Sequence, residues 1–203
     1  MKRKAHTSTL LLLAVGVSLT FAQSTDLKSD PFTEIGQITV NGHPNSYVIR
    51  HLPPSSFPDL PEPISDLINR RGCLIPQTYE AHRPENVIHA SLERPGSRDW
   101  ALLCSVKGTV SLLVFFASTP ERPMVLATAR ETERLQAHDP SHVLGFNWGI
   151  DPASPEQVHD AQISLEHRPP APDHDALADS TVDGKTIDHF YSKGKWTLVD
   201  LPE

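Results

Sequence analysis

The sequence lacks the local signatures of several common enzyme classes. It contains no Gly-x-Ser-x-Gly elbow, no Gly-x-Gly-x-x-Gly fingerprint and no phosphate-binding loop. It also contains no His-Glu-x-x-His pair, so the usual arrangement of a zinc hydrolase is absent. A catalytic triad is defined by geometry and has no fixed order along a chain, so these absences do not exclude one.

Basic residues are scarce as well. The 203 residues include 18 Lys and Arg against 25 Asp and Glu, which gives a formal net charge of −7. A net-acidic chain lacks the positive footprint that phosphate backbones select, so we expect no nucleic-acid partner and no anionic membrane surface. The excess of acidic residues is typical of a protein that stays in solution.

Only one long apolar run is present, and it lies near the start of the chain. Lys2, Arg3 and Lys4 precede the run at 10–19, and Thr20-Phe21-Ala22 follows it. This order predicts a signal peptide over 1–22, cleaved after Ala22. An uncleaved anchor is the alternative, but the run is shorter than the roughly 20 residues that a spanning helix needs. We expect a secreted or periplasmic protein with no stable membrane insertion after processing.

Cysteine is rare, with two residues in the whole chain, Cys73 and Cys104. In an oxidising compartment this pair predicts one structural disulfide. A redox dithiol is the alternative, but the pair lacks Cys-x-x-Cys spacing.

The first part of the mature chain predicts a β-hairpin and a short helix. Asn41-Gly42 is a strong turn signal between the alternating segments of 35–50, and we expect His43-Pro44-Asn45 to lengthen that turn. A proline-rich connection over 52–63 leads to a helix starting near Pro63, which ends at Gly72.

The centre of the chain predicts a sequential antiparallel meander. Four strand candidates cover 87–92, 100–107, 109–117 and 124–128, and Lys107-Gly108 is the predicted turn between the middle two. Apolar residues on both faces of the middle two strands indicate that these are covered on both sides, with Ser105 on the wetter side near the turn.

The C-terminal third predicts one short strand, a helix and a hairpin. A strand over 143–147 precedes Ser154-Pro155-Glu156-Gln157, a capping box that predicts a helix to about Gln162. After a proline-rich crossing, 186–192 and 196–201 form a hairpin around Lys193-Gly194.

Two patterns suggest a metal site, and each lacks an essential part. His138-Asp139-Pro140-Ser141-His142 would place both histidines on one helix face, but Pro140 disfavours that helix. The segment from Asp179 to Gly184 is similar to the start of a calcium loop, but Phe190 stands where the bidentate Glu is required. We therefore predict no metal and no cofactor, and interpret Asp183-Gly184 as a plain turn.

Carboxylates and aromatic residues leave two further interpretations open. Glu80, Glu85 or Glu93 could pair with another carboxylate for glycoside chemistry, although any acidic protein offers such pairs. The three tryptophans could form a carbohydrate or peptide platform, but core packing is the favoured interpretation. They are Trp100, Trp148 and Trp196.

Several segments resemble a group of exported bacterial proteins of unknown function. The resemblance rests on 71–77 (RGCLIPQ), 85–88 (ENVI), 99–105 (DWALLCS) and the closing 194–196 (GKW), and extends from about Leu67 to the C-terminus. It implies an envelope or secreted protein with both cysteines paired, and it assigns no catalytic or ligand-binding residue.

Together these patterns predict an α+β fold: an antiparallel meander sheet of roughly five to seven strands, a few short helices and one disulfide. The predicted organisation is a signal peptide at 1–22, a hairpin and linker at 23–63 and a single domain at 64–203. The leading functional hypothesis is a non-catalytic extracytoplasmic module that binds an unknown protein or small molecule. The alternatives are an envelope hydrolase using dispersed residues such as Glu85, His89 and His138, and a structural accessory protein.

Overall fold

The computed structural model describes residues 30–138 and 142–199, so the predicted signal peptide lies outside the described residues. The described chain is mostly β, with two α-helices, which is consistent with the α+β class. Its helices are α1 (Glu62–Arg70) and α2 (Pro155–Ala161). Its strands are β1 (Thr33–Val40), β2 (His43–Leu52), β3 (Ile75–Gln77), β4 (Val87–Ala90), β5 (Asp99–Val106), β6 (Thr109–Phe115), β7 (Met124–Arg130), β8 (Leu135–Ala137), β9 (Leu144–Phe146), β10 (Trp148–Ala153), β11 (Ala176–Thr181), β12 (Thr186–Ser192) and β13 (Lys195–Leu198).

These strands form three sheets, so the prediction of one sheet with five to seven strands was wrong. Sheet A has the order β1-β2-β9-β8 with β3 paired to β2, sheet B the order β4-β5-β6-β7, and sheet C the order β10-β11-β12-β13. All pairs are antiparallel except β2 with β9, which is parallel. The strand predicted over 143–147 is present as β9, whereas β3 and β8 were not predicted, because three residues each are too few to show an alternating pattern.

The N-terminal hairpin is confirmed, with a tighter turn than expected. Asn41 (φ 50°) and Gly42 (φ 81°) alone connect β1 to β2, and such positive φ values define the two-residue turn that suits a twisted hairpin. His43 and Pro44 pair with Val40 and Thr39, so they belong to β2 and do not lengthen the turn. Because β2 also pairs with β3 and β9, the hairpin shares sheet A with later parts of the chain.

Sheet B confirms the predicted meander, and its central strands are buried on both faces. One face packs against α1 through Ile64 and Ile68, which contact the Leu102 side of β5. The other face joins the main core with side chains of sheets A and C, among them Leu103, Phe146 and Trp148. Two of the three apolar clusters in the described structure thus share sheet B, and the third lies around Val158 of α2.

Helix α1 is tied to sheet B covalently as well. Gly72 (φ 69°) ends the helix as expected, and the amide of Cys73 then donates to the carbonyl of Ile68. Cys73 and Cys104 form the predicted disulfide, with their Cα atoms 5.3 Å apart. Cys104 lies in β5, so the bridge anchors the exit of α1 to the middle of sheet B.

The second helix and the C-terminal hairpin belong to the same end of the fold. The Ser154 hydroxyl accepts from the Gln157 amide, and the Gln157 side chain accepts from the Ser154 amide, which confirms the capping box. Lys193 (φ 52°) and Gly194 (φ 81°) form the predicted turn between β12 and β13. Strands β10 and β11, which complete sheet C, were not predicted.

A polar contact joins sheet B to sheet A inside the core. His51 of β2 is buried against Glu131, just after β7, and Glu131 also hydrogen-bonds to Ser105 of β5. Ser105 is 5 % exposed, so its predicted position on a wetter side was wrong. The polar residues near the Lys107-Gly108 turn gave no sign that Ser105 is buried against Glu131, which comes from another part of the chain.

Among the described residues, no helix is both long enough and apolar enough to cross a lipid bilayer.

Candidate functional site

One cavity of the described structure lies where three chain segments converge. Its walls come from the connection between β3 and β4, from β10 and from the β11–β12 turn, and it encloses about 520 Å³. This volume is within the range of small-molecule sites. We call it the acidic cavity, because its lining includes the carboxylates of Glu80, Glu85, Asp151 and Asp183.

Asn86 forms the floor of the acidic cavity and connects its walls. Its side-chain amide donates to the carbonyls of Pro76 (2.8 Å) and Trp148 (3.2 Å), and its side-chain oxygen accepts from the Ile150 amide (3.1 Å). The backbone carbonyl of Asn86 accepts from Leu103 in sheet B. Asparagine tolerates the φ of 66° found here better than most residues. Asn86 therefore links all three sheets beneath the cavity.

Glu85 is held in a fixed position on the wall. Its carboxylate accepts from the Thr78 amide at 2.8 Å, and its backbone amide donates to the Gln77 side chain at 2.9 Å. The Gln77 side chain in turn donates to the Glu85 carbonyl at 3.0 Å. Because Gln77 is 1 % exposed, this reciprocal pair is shielded from water and rigid.

Asp151 lines the same cavity as Glu85, and the two carboxylates repel each other. Asp151 keeps contact with solvent, yet desolvation by the surrounding walls and the charge of Glu85 raise the pKa of its carboxyl above the ordinary value. Arg83 partly opposes this shift. A raised pKa in a cavity that concentrates negative charge is typical of a functional site.

Asp183 closes the cavity from the β11–β12 turn. It has a φ of 53°, and the Gly184 amide donates to the Thr181 carbonyl at 2.9 Å, so Asp183-Gly184 forms a tight turn. Burial, the charges of Asp183 and Glu80, and a hydrogen bond to Asp183 raise the pKa of Tyr79. The other aspartate of the calcium-like pattern, Asp179, instead accepts from the Trp148 indole at 2.5 Å.

The carboxylates do not converge on one point. Within residues 30–138 and 142–199, no group of three or more His, Cys, Asp and Glu side chains has an arrangement that could hold a metal ion. The remaining polar groups of the lining are the hydroxyls of Thr78, Ser180, Thr181 and Thr186. No Lys, Arg or His side chain lines the cavity in the part of the chain described. The site is therefore an extended acceptor surface with negative charge.

The three residues predicted for a dispersed hydrolase site do not share one cavity. Glu85 lines the acidic cavity, whereas His138 stacks on Tyr79 (ring centroids 4.5 Å apart) in a neighbouring cavity of about 410 Å³. His89 lies in a third cavity with Trp100. Residues 139–141, which separate His138 from His142, lie outside the described residues.

The tryptophans have different surroundings. Trp148 is fully buried in the main core, with the Arg134 guanidinium 4.2 Å from its ring centroid. Trp196 packs on the core beside Phe116 and Tyr191. Trp100 is half-buried and lines a cavity.

Sequence reasoning considered Glu80 and Glu85 but missed Asn86, Asp151 and Asp183 as members of one site. The signal for Asn86 was weak, a single Asn next to a predicted strand. The site itself requires contacts between residues more than sixty positions apart.

Comparison with known proteins adds no relative: no family model, no curated protein and no solved structure matches the chain. The resemblance to exported bacterial proteins thus stays a prediction.

Proposed function

We propose that this protein is a non-catalytic extracytoplasmic binding module that holds a cationic organic ligand in the acidic cavity. The observation that carries the proposal is the lining, in which four carboxylates surround about 520 Å³ and no basic residue from the described chain takes part, although the charge of Arg83 partly offsets that of Asp151. A ligand that brings positive charge relieves this repulsion, because unlike charges attract strongly in a partly desolvated cleft.

The distribution of the acceptors favours an organic cation over a bare metal ion. A metal ion needs ligands that converge within a short radius, whereas these carboxylates project from three separate segments. An alkylammonium or guanidinium group with further donors can reach several of them at once. Hydroxyls such as those of Thr78 and Ser180 supply additional polar contacts along the walls.

The proposed location outside the cytosol has two supports. The predicted export signal at 1–22 directs the chain out of the cytosol, and the Cys73–Cys104 bridge is typical of proteins that mature in an oxidising compartment. Periplasm and extracellular medium meet these conditions equally. We propose a secreted or periplasmic protein on these grounds.

Isothermal titration calorimetry with arginine, lysine and spermidine tests the ligand class. We expect at least one of them to bind, with affinity that falls as salt increases, because the attraction is screened. Asp151→Asn and Glu85→Gln should each weaken binding about tenfold, as expected for the loss of a charged hydrogen bond. Glu121→Gln is the matched control, because Glu121 is exposed in the β6–β7 connection. Absence of binding at about 10 mM of every probe, or equal affinity in all variants, would contradict the proposal.

One observation favours a second candidate, a hydrolase of glycosidic bonds. Glycoside hydrolysis uses one carboxyl group as a general acid and a second as a carboxylate. Asp151, with its raised pKa, could be the acid, and Glu85 could be the second carboxylate. A panel of 4-nitrophenyl glycosides tests it. Turnover by the wild type that is lost in Asp151→Asn would support the hydrolase, and absence of turnover would leave only the binding module.

A further inference from the structure

The third cavity, lined by His89 and Trp100, lies on the opposite side of sheet B from the main core. It encloses about 400 Å³ between the segment 56–60 and the paired strands β4 and β5. Its apolar part comes from Trp100, Val87 and Phe57. We call it the tryptophan cavity. It shares no lining residue with the acidic cavity.

The position of Trp100 follows from the register of sheet B. His89 and Trp100 are directly opposite in the β4–β5 pair, and their ring centroids are 4.9 Å apart at an interplanar angle of 39°. Leu102 and Cys104 on the same face are covered by α1. Helix α1 does not extend over Trp100, so the indole is half-buried and forms part of the cavity wall.

Polar side chains surround this aromatic surface without a hydrogen bond to the protein. Ser56, Asp59 and His89 line the cavity, and within the described residues none of their side chains donates or accepts a hydrogen bond. The Trp100 indole N–H has no acceptor in the described chain either. The cavity thus offers a hydroxyl, a carboxylate, an imidazole and an indole N–H to a ligand.

The walls are preformed. Leu60 and Ile64, adjacent to the 56–60 segment, are 6 % and 2 % exposed, which fixes that segment on the protein. The Cys73–Cys104 bridge attaches the end of α1 to β5, four residues from Trp100. A preformed site loses less conformational entropy when a ligand binds.

We infer that the tryptophan cavity binds a sugar ring. A pyranose presents C–H groups that pack on an aromatic face and a rim of hydroxyls that donate to and accept from groups such as Asp59 and His89. A wholly apolar ligand would leave these polar groups unpaired, which is unfavourable. An anion would meet the Asp59 carboxylate and no Lys or Arg in the lining.

Saturation-transfer NMR with the purified protein tests the inference. The monosaccharide probes are glucose, galactose and N-acetylglucosamine. The disaccharide probes are β-1,4-linked: glucose joined to glucose, galactose joined to glucose, and N-acetylglucosamine joined to a second N-acetylglucosamine. We expect transfer to the C–H protons of at least one probe, together with a change in tryptophan fluorescence. Trp100→Leu should abolish the fluorescence change, and Asp59→Ala should weaken binding about tenfold.

Two controls make the result specific. Asp66→Ala removes an exposed carboxylate from α1 outside the cavity and should bind like the wild type. Glu121→Gln, which lies in the exposed β6–β7 connection and lines neither cavity, should also leave sugar binding unchanged. Thermal unfolding of Trp100→Leu shows whether this variant folds. If it does not fold, the comparison of Asp59→Ala with Asp66→Ala still tests the inference. No transfer at about 10 mM of every probe, or equal binding by Asp59→Ala and Asp66→Ala, would overturn the inference.

Discussion

His51 Nε2 lies 2.6 Å from Glu131 Oε1, and both side chains are almost completely buried between sheets A and B. Burial alone would raise the pKa of Glu131, but hydrogen bonds from His51 and Ser105 outweigh it and lower that pKa below the ordinary value. The contact joins β2 to the segment after β7, so it couples the two sheets through a buried hydrogen bond.

Removing the Glu131 carboxylate should therefore destabilise the fold. We expect Glu131→Ala to lower the free energy of unfolding by about 3 kcal/mol, since it leaves His51 and Ser105 without their acceptor. Urea denaturation followed by circular dichroism measures the change. Glu121→Ala, which removes an exposed carboxylate from the β6–β7 connection, is the control and should have little effect. Equal stability of the two variants would show that the buried pair contributes nothing.

The same pair predicts a direction for the pH dependence of stability. A carboxyl whose pKa is lower in the folded than in the unfolded state stabilises the fold above the unfolded pKa of about 4.3. This contribution is lost as pH falls through the folded pKa of Glu131. Denaturation at a series of pH values between about 6 and 3 should show a smaller decrease in Glu131→Gln than in the wild type.

Asp188 predicts the opposite slope. It is 5 % exposed, makes no hydrogen bond through its side chain within the described residues, and desolvation raises its pKa despite the nearby His189. The unfolded chain then loses its proton at lower pH than the folded chain, so Asp188 costs stability as pH rises above the unfolded pKa. We expect Asp188→Asn to be more stable than the wild type at pH 7 by about 1 kcal/mol, with the difference vanishing below about pH 4. A less stable variant at pH 7 would indicate an unseen partner for the carboxylate.

The disulfide should contribute as much to stability as the strongest of these polar contacts. It closes a loop of 31 residues, for which the loop-entropy relation gives about 3–4 kcal/mol. The double variant Cys73→Ser, Cys104→Ser should melt at a lower temperature, and dithiothreitol should lower the melting temperature of the wild type but leave that of the variant unchanged. Calorimetry with and without reductant measures both, and equal melting in all samples would contradict the prediction.

Asn86 is expected to be among the most sensitive positions of the described chain. Asn86→Ala removes the two side-chain hydrogen-bond donors and the acceptor that join β3, β10 and the cavity floor, so we expect a loss of about 3 kcal/mol. Asn69→Ala, at an exposed position of α1, is the matched control. Similar unfolding midpoints for the two variants would refute this role.

Local signals predicted local structure well. The turns at Asn41-Gly42, Lys107-Gly108 and Lys193-Gly194 were predictable because turn chemistry and strand alternation occupy neighbouring residues. The capping box at Ser154 and the helix stop at Gly72 depend equally on adjacent residues.

The assembly of these pieces was not predictable from the sequence. The parallel pairing of β2 with β9 joins residues nearly a hundred positions apart, and the strand predicted over 143–147 carries no signal of its partner. The acidic cavity depends on bringing Glu85, Asp151 and Asp183 together, which needs the three-sheet arrangement first. Ser105 shows the same limit, because its burial depends on Glu131 arriving from another part of the chain.

Deamidation of the Asn86 side chain would also damage the molecule as it ages. Hydrolysis of that amide to a carboxylate would replace two N–H donors with an oxygen carrying negative charge, directed at the carbonyl oxygens of Pro76 and Trp148. Attraction at the junction of the sheets would become repulsion. Material that ages by this route would lose its folded state and its acidic cavity together.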